Sequence, residues 1–239
     1  MKIKMIGTGA IYTKYNSASA LIDEEMMVDM PNGTLKQLLK MGYQPENIKT
    51  IVITHMHGDH IGDIPFFLKY LYCIKERKDT LTIVGPKGIK EQMIKLFQAY
   101  RFEDREEIES KMPIQFVELG EEREEVKIKS YTIEAHSVIH GEEKPAYGYI
   151  INQALGYTGD SGMCDGVKNI CKGSKIVIAD SSLLKGDDSH MGIDNIEKLT
   201  QDYSIQLIPT HLRDETREEY RKKEITNVKM VEDEYEFEI

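Results

Sequence analysis

Six consecutive positions, His55-Met56-His57-Gly58-Asp59-His60, constrain this chain more than any other feature of its sequence. Three imidazoles and a carboxylate crowd into one short segment. It follows directly on the β-branched run at residues 50–53, which reads as a buried strand. Imidazole nitrogen suits zinc and related first-row metals, and a carboxylate completes such a donor set. A loop leaving a strand end can aim alternate residues the same way. His55 and His57 are therefore expected to face one metal and Asp59 and His60 a neighbouring one, with Gly58 supplying a tight backbone turn between the pairs. A polar loop with incidental histidines does not call for four ligand-type side chains in this order.

Strand and helix signals alternate around this segment. Residues 2–6, 18–22, 26–29, 81–84, 126–135, 147–151, 154–157, 176–179 and 206–208 read as strands, and residues 228–231 and 235–239 as a closing hairpin. Helical spacing marks residues 33–41, the run Ile61, Ile64, Phe67, Leu68 and Leu71, and the run Ile89, Met93, Leu96, Phe97 and Tyr100. Helices are also expected at residues 193–200 and 214–223. No Pro/Gly/Ser-rich linker, tandem repeat or low-complexity stretch interrupts the pattern. One layered α/β domain over residues 1–239 is the expectation.

Composition narrows the function classes. The formal net charge of −10 points away from a nucleic-acid binder, whose phosphate contacts need basic surface. The acidic excess falls in residues 103–109 and 121–125, which read as solvated faces. The three cysteines, Cys73, Cys164 and Cys171, form no CxxC pair, so a disulfide framework or a cysteine zinc site is not expected. No apolar run approaches the roughly 20 residues of a membrane span. Residues 1–5 read as a first strand and not as a signal peptide, so a cytoplasmic protein is expected. Gly7-Thr8-Gly9-Ala10-Ile11-Tyr12 lacks the third glycine of a dinucleotide fingerprint, and Gly85-Pro86-Lys87-Gly88 is not a phosphate loop. Neither Ser161 nor Ser181 sits in a Gly-x-Ser-x-Gly elbow.

The pattern His55-x-His57-x-Asp59-His60 resembles the signature of the metallo-β-lactamase superfamily. Gly7-Thr8-Gly9, Asn16-Ser17-Ala18 and Val28-Asp29 resemble the N-terminal strands of its ribonuclease Z and phosphodiesterase-like branch. The resemblance implies a four-layer αββα sandwich with a two-metal site at one edge of the sheets. It also implies a third histidine, a bridging aspartate and a last histidine. Asp160, in Thr158-Gly159-Asp160-Ser161, matches the bridging carboxylate, and His211, in Pro209-Thr210-His211, matches the last histidine. His136 and His140 both follow the strand that precedes Gly148-Tyr149. The distance to that Gly-Tyr strand favours His140 as the third ligand, with His136 as the alternative.

Two adjacent metals can share one water and lower its pKa, so the implied chemistry is attack by a bridging hydroxide on phosphorus or on a carbonyl carbon. Asp59 would both ligate and orient the nucleophile. The resemblance also implies a role near the scissile phosphate for His190, in Ser189-His190-Met191-Gly192. Asp180 would pair with it, at a position where that branch usually carries Glu. Such a carboxylate would fix the imidazole tautomer and keep a proton available for the leaving oxygen.

The expected cofactors are two divalent ions, zinc by donor type, with manganese or iron also suited to such a site. The expected substrate is a phosphodiester, whether a small organophosphate, a cyclic nucleotide or RNA. An ester or lactone hydrolase and a non-catalytic metal-binding module are the alternatives. A Gly/Pro- and Lys-rich arm of the kind that grips tRNA is missing between His60 and His140 and between Asp160 and His211, which counts against tRNA. A homodimer is a further expectation of the resemblance.

Overall fold

The short apolar runs become thirteen strands in two sheets, with helices over both outer faces, in a computed structural model that describes residues 1–239. The first sheet takes β1 (Lys2–Gly7), β2 (Ser19–Ile22), β3 (Met26–Val28), β4 (Thr50–Val52), β5 (Leu81–Pro86) and β6 (Ile114–Leu119) in chain order. The second takes β7 (Arg123–Ile128), β8 (Tyr131–Ser137), β9 (Tyr147–Ile151), β10 (Leu155–Tyr157), β11 (Ile176–Asp180) and β12 (Gln206–Thr210). The last strand, β13 (Glu236–Glu238), returns to the free edge of the first sheet and pairs antiparallel with β1. Strands β3 to β6 run parallel to one another, as do β10 to β12, and the remaining pairs are antiparallel.

Both faces of each sheet are covered, which is why so many strands read as unbroken apolar runs. Ile3, Val28, Val52 and Val84 meet Ile133, Tyr149, Tyr157 and Ile178 between the sheets. On the outside of the first sheet, Met27, Ile51 and Ile83 pack against α1 (Thr34–Lys40), α3 (Ile64–Cys73) and α4 (Ile89–Ala99) through Leu38, Phe67 and Met93. On the outside of the second, Ile150, Val177 and Leu207 pack against α6 (Asp165–Gly173) and α7 (Ile193–Asp202) through Val167, Ile170 and Ile196. This is the αββα order expected from the sequence. The short α2 (Gly58–Ile61), α5 (Arg105–Lys111) and α8 (Asp214–Lys222) complete the helices, none of which is long and apolar enough to cross a membrane.

Four local readings change. Residues 126–135 form not one strand but the hairpin of β7 and β8, turning at Lys129 in the left-handed region (φ 54°). The expected C-terminal hairpin does not form. Val228 makes only an isolated bridge to Leu207, and β13 takes β1 as its partner, with Phe237 opposite Ile3. The alternation of Tyr235, Phe237 and Ile239 was a sound strand signal, but the core between the sheets chose the partner. β6 gives no clear strand signal, because polar Gln115 and Glu118 dilute an edge strand. α6 is a further helix, with Val167, Ile170 and Cys171 at helical spacing.

The C-terminal ends of β4, β10, β11 and β12 open onto one common edge. Open α/β sheets characteristically present ligand sites at such strand ends.

Candidate metal centre

The side chains of the site lie in the segments that leave strand ends. Beyond β4 the chain stays extended through His55 to His57, then winds into α2, whose first turn carries Asp59 and His60. Gly58 is not strained there, and a Cβ at that position would meet nothing within 4 Å. The turn is made by entry into the helix, and the expected need for glycine does not hold. Gly159 does have that need. Its φ is +62°, and a Cβ would lie 2.9 Å from both Thr54 Cβ and the Tyr147 carbonyl. That close approach sets Asp160, just past β10, against the β4 loop. His211, just past β12, and Asp29, just past β3, are also left-handed, at φ 55° and 58°. Non-glycine residues persist in that region when the surrounding structure overdetermines them, and such positions cluster at functional sites.

The seven expected donors converge. Asp160 Oδ2 lies 3.2 Å from His211 Nε2 and 3.4 Å from His60 Nε2, and 4.0 Å from the Nε2 atoms of both His55 and His140. His57 Nδ1 lies 3.0 Å from His55 Nε2 and 3.2 Å from His140 Nε2. Asp59 Oδ2 lies 3.5 Å from His211 Nε2 and 3.7 Å from His60 Nε2. Two donor groups result, His55, His57 and His140 on one side and Asp59, His60 and His211 on the other, with Asp160 between them. Apart from His57, whose side chain is 47% exposed, all are buried.

Hydrogen bonds fix which ring nitrogens carry lone pairs. Asp29, fully buried, accepts from His60 Nδ1 at 2.8 Å, from the Thr54 backbone N–H at 2.8 Å and from Thr54 Oγ1 at 2.9 Å. The Thr54 hydroxyl has one proton and gives it to Asp29, so it accepts from His55 Nδ1 at 3.1 Å. His140 Nδ1 donates to the Ser189 carbonyl at 2.7 Å. His57 Nε2 faces Glu143 at 3.6 Å, leaving Nδ1 inward. The Nε2 lone pairs of His55 and His140 therefore both face His57 Nδ1, which can satisfy at most one of them with a proton, and buried His60 Nε2 faces only Asp160 Oδ2 at 3.4 Å. A cation resolves that repulsion, and the mixed nitrogen and carboxylate set fits zinc or a similar divalent ion.

Burial opposes charge on His60, but the flanking carboxylates Asp160 and Asp29 overcome it and raise that imidazole well above its ordinary pKa, so a metal ion bound there must displace its proton. Burial, then the charge at His60, holds the His55 imidazole well below its ordinary pKa, in the neutral form that a ligand needs. Burial would push the Asp160 carboxyl up, but the charges of His211 and His60 outweigh it and hold it well below the usual carboxylate range.

His190 and Asp180 stand beside this centre. His190 Nδ1 donates to Asp180 Oδ2 at 2.9 Å, and the backbone N–H groups of Ser161 and Ser182 hold the same carboxylate at 3.0 Å each. Burial opposes charge on His190, but the Asp180 hydrogen bond and charge overcome it and raise the imidazole to about 9. Its ring stacks on His211, with centroids 5.1 Å apart and planes at 13°, and meets His140 edge-on at 4.9 Å. His136 is not in this cluster. It sits on β8 with Nε2 2.6 Å from Glu134 Oε1 and lines a different depression, beside Arg123 and Asn169. Of the two histidines left open by the sequence, His140 is the one that reaches the other donors.

The centre floors a cleft of about 800 Å³. One wall is the loop with Ala10, Ile11 and Tyr12, another carries Gly141, Glu142 and Glu143, and a third runs from Ser182 to His190. The first wall is tied down by the C-terminal segment. Asp233 accepts from Thr8 N at 2.9 Å, Thr8 Oγ1 at 2.7 Å and Asn16 N at 2.8 Å, while buried Arg217 donates to Thr8 Oγ1 at 2.9 Å and lies 3.7 Å over the Tyr15 ring. Asp29, Glu143, Asp233 and Arg213, a cation in the cleft wall, had no motif to announce them. Only Val28-Asp29 stood within a segment already noted, and there as a strand signature.

A family profile described as the anti-Pycsar protein Apyc1 matches residues 1–237. Ribonuclease Z of Limosilactobacillus fermentum is 31% identical over 162 residues, covering 64% of this chain and 49% of that protein. Ribonuclease Z of Streptococcus equi subsp. equi is 39% identical over 99 residues, covering 38% of this chain and 32% of that protein. The chain thus spans half or less of the length of the curated relatives it matches. Among solved structures it superposes on a diphosphatase of the PhnP family with a TM-score of 0.79 at 17% identity, covering 100% of this chain and 97% of the other. It superposes on human tRNase Z, short form, with a TM-score of 0.76 at 19% identity, covering 100% and 99%. For YhfI, a metallo-β-lactamase-fold protein of Bacillus subtilis, the TM-score is 0.77 at 19% identity, covering 99% and 98%.

Proposed function

Because the chain belongs to the Apyc1 family of anti-Pycsar proteins, in the ribonuclease Z and phosphodiesterase-like branch of the metallo-β-lactamase superfamily, we propose that it is a two-metal hydrolase of small phosphodiesters such as cyclic nucleotides. One domain over residues 1–239 carries the activity in this reading. The observation that carries it is the position of Asp160 Oδ2, within 4.0 Å of four imidazole nitrogens that sort into two donor groups. His55, His57 and His140 would hold one divalent ion and Asp59, His60 and His211 the other, with Asp160 shared.

Divalent ions held by these residues would supply a water of lowered pKa and positive charge for the phosphoryl oxygens. The chain's own groups do the rest. Asp59 would both ligate and orient the attacking water. Asp29 holds His60 directly and His55 through Thr54, so that both present Nε2. His190, with Nδ1 committed to Asp180, offers the proton on Nε2 to the leaving oxygen.

The cleft supports a compact substrate over tRNA. Glu142, Glu143 and Asp187 line its walls beyond the metal ligands, against Arg213 and the protonated His190. The flanking phosphates of a polyanion would meet these carboxylates, whereas a singly charged diester brings only its reacting group. Zinc is proposed as the metal, on donor chemistry.

The test is turnover of bis-p-nitrophenyl phosphate beside p-nitrophenyl acetate by metal-loaded protein. The expected result is chelator-sensitive hydrolysis of the diester. Hydrolysis of the acetate alone would replace this reading with a carbonyl-directed one.

A further inference from the structure

Arg213 is the only lysine or arginine lining the cleft, among five carboxylates. Its backbone is firmly anchored. Leu212, fully buried, donates to the Thr8 carbonyl at 3.0 Å and accepts from Ala10 N–H at 3.1 Å, and the Arg213 carbonyl accepts from Arg217 N–H at 2.9 Å, starting α8. Its guanidinium, by contrast, makes no hydrogen bond and no ion pair within the chain, although other arginines of this acidic protein do. Arg77, Arg105, Arg217 and Arg221 all have protein partners. Two of the three outer carboxylates of the cleft are engaged elsewhere. Asp187 Oδ1 accepts from the backbone N–H groups of Ser189 and His190 at 2.8 and 2.9 Å, and Glu143 faces His57.

An anchored backbone carrying an uncommitted planar fork is the arrangement that recognises a phosphoryl group, because two parallel N–H donors match two of its oxygens. We infer that Arg213 grips the anionic phosphoryl group of the substrate and selects charged phosphate esters over neutral esters, an inference that rests on the phosphodiesterase reading above. The carboxylates around it give the selection its second half, since they disfavour any further negative charge. Arg213 thereby contributes mainly to binding, and less to the chemical step.

The experiment compares the metal-loaded wild type with Arg213→Gln, Arg213→Lys and, as a charge control on the far end of α8, Lys222→Gln. Calorimetry with inorganic phosphate reads binding without turnover, and bis-p-nitrophenyl phosphate kinetics read KM and kcat separately. Loss of a charge-assisted bidentate contact should weaken phosphate binding and raise KM by at least about tenfold in Arg213→Gln. The Lys variant should lose less, Lys222→Gln should lose little, and kcat should change less than KM throughout. Unchanged phosphate affinity and KM in Arg213→Gln overturn the inference, as does an equal loss in Lys222→Gln. Arg213-dependent phosphate binding in a protein that hydrolyses no phosphodiester would sustain the anion role and discard the phosphodiesterase reading alone.

Discussion

Asp160→Ala will empty both metal positions and reduce turnover to background. The reason is geometric. Asp160 Oδ2 lies within 4.0 Å of donors from both groups, among four imidazole nitrogens. Removing it takes a ligand from each ion at once and leaves like-charged or lone-pair-bearing rings facing one another. Outer-shell partners of metal ligands typically cost about 10- to 100-fold in metal affinity or activity when removed, so a shared ligand should exceed about 100-fold for both metals together. Asp160→Asn keeps the shape and loses the charge, and should fail in the same way. Metal content per folded chain, with circular dichroism to verify folding, is the measurement. Full occupancy of both positions in Asp160→Ala would remove the bridging role.

The second large effect falls on chemistry with the metals in place. His190→Ala should lower turnover by about 10²- to 10⁴-fold, the range for loss of a general acid, and leave metal content at the wild-type value. Asp180 holds His190 Nδ1 and is itself held by two backbone N–H groups, so Asp180→Asn should lower turnover by misdirecting the imidazole. The leaving group discriminates acid catalysis from mere packing. A p-nitrophenolate leaves with little protonation, so the loss should be smaller for bis-p-nitrophenyl phosphate than for a diester with an alkoxide leaving group. A decrease in metal content in His190→Ala would instead make His190 a ligand, an arrangement its proximity to His140 and Asp160 makes a concrete alternative.

The legible part of this site was the part built from local chemistry. His55 to His60 announce themselves because metal binding needs several donors and one strand-end loop supplies four. Asp160 and His211 were legible only through the family resemblance, which calls for an aspartate and a histidine after short apolar strands in this order. The choice between His136 and His140 was not open to local pattern alone, since both trail the run of residues 126–135 that reads as one strand, although His136 lies within β8. The fold brings His140 Nε2 to the other donors, with its Nδ1 donating to the Ser189 carbonyl, while His136 stays against Glu134.

Asp29 and Asp233 were opaque for a similar reason. A carboxylate that orients a histidine 31 residues away, or a loop 225 residues away, has no sequence spacing to betray it. The fold divides in the same manner. Strand-forming runs were legible, while the partner of β13 was selected by core packing at Phe237 across the whole length of the chain.

The central claim is that two ions sit in one site divided by Asp160. Metal analysis of the purified chain, after reconstitution with zinc and removal of excess, tests it most directly. The account predicts about two ions per chain, both removed by chelator together with turnover of bis-p-nitrophenyl phosphate. No bound ion after reconstitution with zinc or manganese, in a protein that is folded, would contradict it.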